Sequence, residues 1–96
     1  MKKVLIICKT GKSANAVKDS IMSKDVNHSI EAISAANAGN YDEDDFDAIL
    51  IAPQVSAHID NLRHIFPTKP MEIAPFADYF SKNAPALIKM IDRMIN

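Results

Sequence analysis

Cys8 closes the apolar run Val4-Leu5-Ile6-Ile7 and opens a turn, Lys9-Thr10-Gly11, that leads into Lys12 and Ser13. The thiolate is the nucleophilic form of cysteine, and nearby cations or a helix N-terminus favour it. Both are predicted here: Lys9 and Lys12 supply charge, and a helix starting near Lys12 offers unpaired N–H groups and the positive end of its macrodipole. Gly11 lets the backbone curl closely round a tetrahedral oxyanion, with the hydroxyls of Thr10 and Ser13 as further donors. Phosphate, sulfate and arsenate all suit such a cradle. The opposing reading is an inert core thiol, since free cysteine is among the most buried residue types. The glycine turn, the cations and the helix start favour the reactive reading.

Several look-alikes fail on spacing. Gly11-Lys12-Ser13 imitates the end of a Walker A loop, but the first glycine of that motif would fall on Ile6. A cysteine phosphatase clamps phosphate with an arginine where this chain has Ala14. A receiver domain needs a phosphorylatable aspartate at the end of the third strand, where Ala52-Pro53 stands. The acidic run Asp42-Glu43-Asp44-Asp45 precedes that strand, at the wrong end of the sheet, and reads as a solvated loop rather than a metal site. His28, His58 and His64 are read as structural, with His58, one turn into a helix after Gln54, the least dismissible. A single cysteine excludes an internal disulfide, and no Cys/His cluster has metal-site spacing.

The elements that must position Cys8 follow from the hydrophobic pattern. A buried strand over Lys3 to Cys8 is short, continuously apolar and closed by the glycine turn. A helix from Lys12 to about Lys24 carries Ala14, Val17, Ile21 and Met22 on one face. His28 to Ser34 is a second strand with Ile30, Ala32 and Ile33 turned inward, followed by a loop or short helix over Ala35 to Asp45. A third strand over Asp47 to Pro53 repeats the character of the first. The next helix runs from about Val55 to Phe66 along Val55, Ile59, Leu62, Ile65 and Phe66, and stops at Pro67. Pro70 to Ala74 is a short fourth strand. The last helix, about Asn83 to Ile95, carries Leu87, Ile88, Ile91, Met94 and Ile95. This alternation predicts an α/β fold: an open four-stranded parallel sheet of order 2-1-3-4, with right-handed crossovers and helices on both faces. Ligands of such sheets bind beyond the carboxyl ends of the strands where the order reverses. That places the segment after Cys8 opposite Pro53-Gln54-Val55.

With 96 residues, 48% of them hydrophobic, the chain is expected to form a single domain over residues 1–96. A net charge of −1 gives no electrostatic reason to expect nucleic acid or an anionic membrane as partner. The apolar stretch after Lys2-Lys3 is too short for a signal peptide, and no run approaches the roughly 18 residues of a membrane span. The expected location is cytoplasmic, without direct membrane insertion.

The residues together resemble a known family, the IIB components of the lactose/cellobiose (chitobiose) type from the bacterial sugar phosphotransferase system. The resemblance covers nearly the whole chain. It is carried by Met1-Lys2-Lys3-Val4-Leu5-Ile6-Ile7-Cys8, by Lys9-Thr10-Gly11-Lys12-Ser13, by Ile51-Ala52-Pro53-Gln54-Val55, and by Asp78-Tyr79 ahead of the last helix. The Cys-x-x-Gly-x-Ser element is moderately specific alone, and fairly strong with Pro-Gln-Val at this spacing. The resemblance implies a phosphotransferase in which Cys8 accepts phosphate from a phosphohistidine on a IIA partner and passes it to a sugar bound by the membrane IIC permease. The loop of Lys9, Thr10, Gly11, Lys12, Ser13, Ala14 and Asn15 would be the phosphate cradle, with no metal or other cofactor. Gln54 and Tyr79 match family positions near the crevice. The family's loop usually reads Cys-x-x-Gly-Met-Ser-Thr-Ser. Lys12, Ala14 and Asn15 depart from it, so two hydroxyl donors are lost and one cation is gained.

On this reading an apolar rim including Val55, Ala57 and Tyr79 would form a transient docking face. Two rivals accompany it: a degenerate IIB-like regulatory binding module, and a cysteine-dependent phosphatase or arsenate-reductase-like enzyme. The absent arginine and second thiol disfavour the latter.

Overall fold

A computed structural model describes residues 2–24 and 27–95. Strands β1 (Lys2–Cys8), β2 (His28–Ser34), β3 (Ala48–Ile51) and β4 (Met71–Ile73) form one parallel sheet in the order β2-β1-β3-β4. Helices α1 (Lys12–Met22), α2 (Ile59–Ile65), α3 (Phe76–Phe80) and α4 (Ala84–Ile95) alternate with them, together with 3-10 segments at Ala35–Asn40, Glu43–Asp45 and Pro53–His58. The expected 2-1-3-4 parallel α/β architecture is the one observed.

The core sits on the two central strands. Val4 to Cys8 of β1 and Ala48 to Ala52 around β3 are buried without a break, which requires cover on both faces of the sheet. The step from β1 to β2 crosses the sheet one way and the step from β3 to β4 the other. Right-handed crossovers therefore place α1 and α2 on opposite faces. α1 buries Ala14, Val17 and Ile21, and α4 buries Ala84, Leu87, Met90, Ile91 and Met94, each at helical spacing.

The register aligns the carboxyl ends of the strands. Cys8 pairs with Ser34, Ile7 with Ile51, and Ile51 with Ile73. The pairing extends one step further where Ala52 N–H donates to the Ile7 carbonyl and Ala74 N–H to the Ile51 carbonyl, each at 2.8 Å. Cys8, Ala52 and Ala74 thus end on one edge. At the opposite edge Asp47 ties β3 to β1, its Oδ2 accepting from Lys3 N–H at 2.9 Å and its own N–H donating to the Lys3 carbonyl at 2.7 Å.

Several sequence expectations are corrected. Met22 and Ile65 lie on the exposed side of their helices. β3 is shorter than 47–53, because Pro53 lacks an N–H and starts a 3-10 turn instead. The helix expected from Val55 to Phe66 is two elements: the 3-10 segment Pro53–His58, in which Val55 takes the non-helical angles φ −114°, ψ 19°, and then α2. Burying the Val55 side chain while Pro53 fixes the start of the turn breaks the regular helix. α3 is an additional element: five residues bounded by Pro75 and Ser81 are too few for a 3.6-residue periodicity to show. Asn83, expected inside the last helix, lies just before it, with Oδ1 accepting from Ala86 N–H at 3.3 Å. The last residue of the predicted first helix, Lys24, lies beyond α1.

Candidate functional site

β1 delivers Cys8 to the carboxyl edge of the sheet, and the chain must then reverse into α1. Gly11 makes that reversal possible: it stands at φ 89°, ψ −16°, in the left-handed region that costs other residues energy. The turn brings Gly11 N–H to the Cys8 sulfur at 2.9 Å. The first helical bond runs from Asn15 N–H to the Gly11 carbonyl at 3.0 Å. α-helical geometry leaves the N–H groups of Lys12, Ser13 and Ala14 without acceptors inside the helix, and Lys12 N–H reaches only its neighbour Thr10 Oγ1, at 3.5 Å.

The loop residues divide by orientation. Lys9, Thr10 and Lys12 are exposed, Ser13 is half-buried, and Gly11 and Ala14 are buried. Ala14 points into the core, and so offers the site its N–H and nothing from its side chain. Asn15 is engaged twice with the Gly11 carbonyl, through its backbone N–H at 3.0 Å and its side-chain amide at 2.9 Å. Its backbone donor, expected to be part of the cradle, is therefore spent in closing the first turn of α1.

Two further side chains converge on Ser13 at the start of α1. Gln54, from the 3-10 segment after β3, donates from Nε2 to Ser13 Oγ at 3.3 Å. The Tyr79 hydroxyl, from α3, lies 3.0 Å from the same Ser13 oxygen. Burial pushes the Tyr79 phenol up from 10.0 to about 12; the hydrogen bond from Ser13 opposes this, while the charge and hydrogen bonding of Cys8 reinforce it. Cys8, Ser13, Gln54 and Tyr79 thus come from four different elements. The crevice predicted between the segment after Cys8 and Pro53-Gln54-Val55 is bridged by the Gln54–Ser13 bond.

The expected apolar rim is only partly present. Val55 is 2% and Tyr79 1% exposed, so neither forms a docking surface; an apolar residue next to a crevice looks the same in sequence whether it packs inward or outward. Ala57 is exposed. On α3 it is Phe76, 71% exposed, and Phe80 that face solvent, with ring centroids 4.6 Å apart.

The remaining candidates lie elsewhere. His28 sits at the opposite edge of the sheet, paired through Nε2 with Asp92 at 2.8 Å. His64 bonds the Asp60 carbonyl through Nδ1 at 2.8 Å. Exposed His58 lines a cavity of about 280 Å³ with Ala35, Ala36, Asn61, Leu62 and Ile65. In the acidic run Asp42 caps a 3-10 turn by accepting from Asp44 N–H, and Glu43 accepts from Thr68 N–H and Oγ1 at 3.0 and 2.9 Å. Among the described residues no group of three or more His, Cys, Asp or Glu is arranged to hold a metal ion, and no helix is long and apolar enough to cross a membrane.

The fold and site define a small α/β protein whose open parallel sheet carries a cysteine at its switch point, beneath a glycine-bent turn whose N–H donates to the sulfur. No family model matches the sequence, and no curated protein does. Solved structures do match. The cellobiose-specific phosphotransferase IIB component protein from Borrelia burgdorferi is 27% identical, with 99% of this chain and 92% of that chain covered and a TM-score of 0.73. The lactose-specific IIB component domain of the phosphoenolpyruvate:carbohydrate phosphotransferase system from Streptococcus pneumoniae, at 17% identity, covers 95% of each chain with a TM-score of 0.72, and shares the fold. The chain resembles IIB components of the lactose/cellobiose type over nearly its whole length.

Proposed function

We propose that the protein is a cytoplasmic phosphoryl carrier of a sugar phosphotransferase system, with Cys8 as the phosphate-accepting residue. The observation that carries this reading is the Gly11 N–H donating to the Cys8 sulfur at 2.9 Å in the first turn before α1. A cysteine packed merely as an apolar residue has no need of a backbone donor on its sulfur.

The Cys8 thiolate attacks the phosphorus of a phosphohistidine on a IIA partner. The S–P bond forms as the P–N bond breaks, and the bonding pair returns to the imidazole. The oxygens of the transferred group rest against the N–H groups at the start of α1, from Lys12 to Ala14, which have no acceptor inside the helix, with Ser13 Oγ and exposed Lys9 and Lys12 alongside. Such a transfer depends on positioning and charge stabilisation rather than on a cofactor. A hydroxyl of a sugar bound by the membrane IIC permease then takes the phosphoryl group: the O–P bond forms as the S–P bond breaks, the bonding pair returns to sulfur as the thiolate, and the hydroxyl proton leaves to solvent or to a base on the permease. The resemblance to lactose- and cellobiose-specific IIB structures supports this pair of partners. The whole chain acts as one phosphotransfer domain.

Incubation with a phosphorylated IIA protein, followed by intact-mass and peptide analysis, tests the reading. One phosphate on Cys8 is expected, and none in Cys8→Ala. Absence of phosphate from the wild-type protein, or its persistence at another residue in Cys8→Ala, overturns it.

A further inference from the structure

A nucleophile has to be reached, yet Cys8 is 1% exposed. The carboxyl end of β1 is closed from two sides. Towards β2, the buried Gly11 packs on the end of that strand: a Cβ added to it would stand 3.8 Å from the Ser34 nitrogen and 3.9 Å from the Ile33 carbonyl carbon. The Gly11 N–H holds the sulfur at 2.9 Å, with only Lys9 and Thr10 between the two residues along the chain. Opening this side means breaking a buried hydrogen bond and undoing a left-handed turn. Towards β3 the closure is lighter. Among the described residues, one side-chain hydrogen bond joins the start of α1 to the segment after β3, Gln54 Nε2 donating to Ser13 Oγ at 3.3 Å. Gln54 is exposed, and a long hydrogen bond in contact with water lies at the weak end of the range. Ser13 is also 3.0 Å from the hydroxyl of the buried Tyr79, so Gln54 is the partner that can swing away.

We infer that Gln54 is a latch controlling access to Cys8: its bond to Ser13 keeps the crevice shut, and release of the side chain opens a path to the sulfur from the β3 side. The latch lies at the surface, where an arriving molecule displaces it, whereas the Gly11 donor stays on the sulfur in both states. Holding the nucleophile and admitting its reaction partner are thereby given to different residues. Oxidation of a thiol follows its exposure as well as its thiolate character. A closed crevice therefore protects the one cysteine of the chain. The consequence for transfer rests on the proposed carrier reading: opening precedes attack, so the latch sets how often Cys8 is available to a donor.

With a single cysteine in the chain, access is measured directly by thiol labelling. In the first arm, the native protein reacts with a bulky neutral maleimide or with the small neutral methyl methanethiosulfonate, and the same chain unfolded in urea gives the rate of the open thiol. Native wild type is expected to react more slowly than the unfolded chain with both. Gln54→Ala and Gln54→Asn, the latter keeping the amide but one methylene too short to reach Ser13, are expected to speed maleimide labelling about three- to tenfold. The urea midpoint is expected to stay at the wild-type value. The gain should be smaller for the small reagent, because a widened path favours the larger molecule, whereas a changed thiol acidity multiplies both rates alike. The latch is overturned by a native wild-type rate equal to that of the unfolded chain, by no gain in the variants, by equal gains for the two reagents, or by a gain matched by a fall in the urea midpoint. In the second arm, Gln54→Ala is mixed with saturating phosphorylated IIA protein, and the single-turnover rate of Cys8 phosphorylation is expected to rise by up to the same factor. A rate at or below wild type overturns the gating of transfer. Absence of phosphate from the wild-type protein defeats the carrier reading, while the labelling arm still decides the latch.

Discussion

After Cys8 the chain runs through Lys9, Thr10 and the left-handed Gly11 straight into a regular helix; the Gly11 N–H donates to the sulfur, and those of Lys12, Ser13 and Ala14 have no acceptor inside the helix. After Ile51 it takes another course: Pro53 removes one donor, Val55 N–H is spent on the Ala52 carbonyl at 3.1 Å, and the segment coils as a 3-10 turn before α2 begins. The first turn therefore offers backbone donors, and the second offers one side chain, Gln54. Backbone donors do not depend on which side chains the loop carries, so the departures at Lys12, Ala14 and Asn15 from the loop of the family it resembles leave the N–H groups of Lys12, Ser13 and Ala14 in place. The first turn thus sets a backbone donor on the sulfur, and the second supplies a side-chain bridge from Gln54 to Ser13.

Variants on the two turns test this division. The largest difference is expected between Cys8→Ser, which abolishes acceptance of phosphate as read by intact mass, and Pro53→Ala, which leaves it within about twofold and costs less than about 1 kcal/mol in denaturant unfolding. Equal loss in both would erase the distinction between the turns.

The next effect is on stability at high pH. The folded-state value of Tyr79, about 12, lies above the ordinary 10.0, so the native state holds this proton more tightly than the unfolded chain does. The associated stability is complete below pH 10 and is lost as the pH rises towards 12, to a total of at most about 3 kcal/mol. Because lysines and Tyr41 titrate in the same range, the measurement is the difference between wild type and Tyr79→Phe in urea midpoints across that window. The variant should show the shallower decline, and parallel curves would contradict the account.

Gly11→Ala is expected to cost about 1–2 kcal/mol. Its added Cβ would have the Ser34 nitrogen no nearer than 3.8 Å, so the cost comes from φ alone, and thermal unfolding showing a much larger loss would mean that the turn has a steric role as well. Transfer should suffer with it, since the Gly11 N–H is the donor on sulfur. The smallest effect is expected for Lys12→Met. This exposed cation is screened by salt, so its removal should slow transfer by a fewfold at low ionic strength and hardly at all at high ionic strength. A loss independent of salt would show that Lys12 does more than add charge.

Much of this arrangement was legible from residue order. The unbroken apolar runs ending at Cys8 and Ala52 marked the buried central strands, and Gly11 marked the turn between β1 and α1. Their alternation with helical stripes led to the 2-1-3-4 sheet, and hence to the two turns facing each other. The solvent side of the site was less legible. Val55 and Tyr79 were expected on a rim and are buried, while Phe76 and Phe80 carry the exposed apolar surface beside them. α3, which turns Tyr79 in and Phe76 out, is too short for its pattern to be read from hydrophobic spacing.

By itself, then, the sequence determined the strands, the place of the glycine turn and the presence of a thiol at its mouth, because these follow from local backbone preference and from apolar periodicity along neighbouring residues. Only the tertiary structure decided that Gln54, Ser13 and Tyr79 meet, and that Asn15 folds back on Gly11 instead of facing the cradle. Contacts between side chains 41 and 66 positions apart depend on how helices settle against the sheet, and no local spacing rule encodes the few tenths of an ångström that separate a hydrogen bond from a near miss.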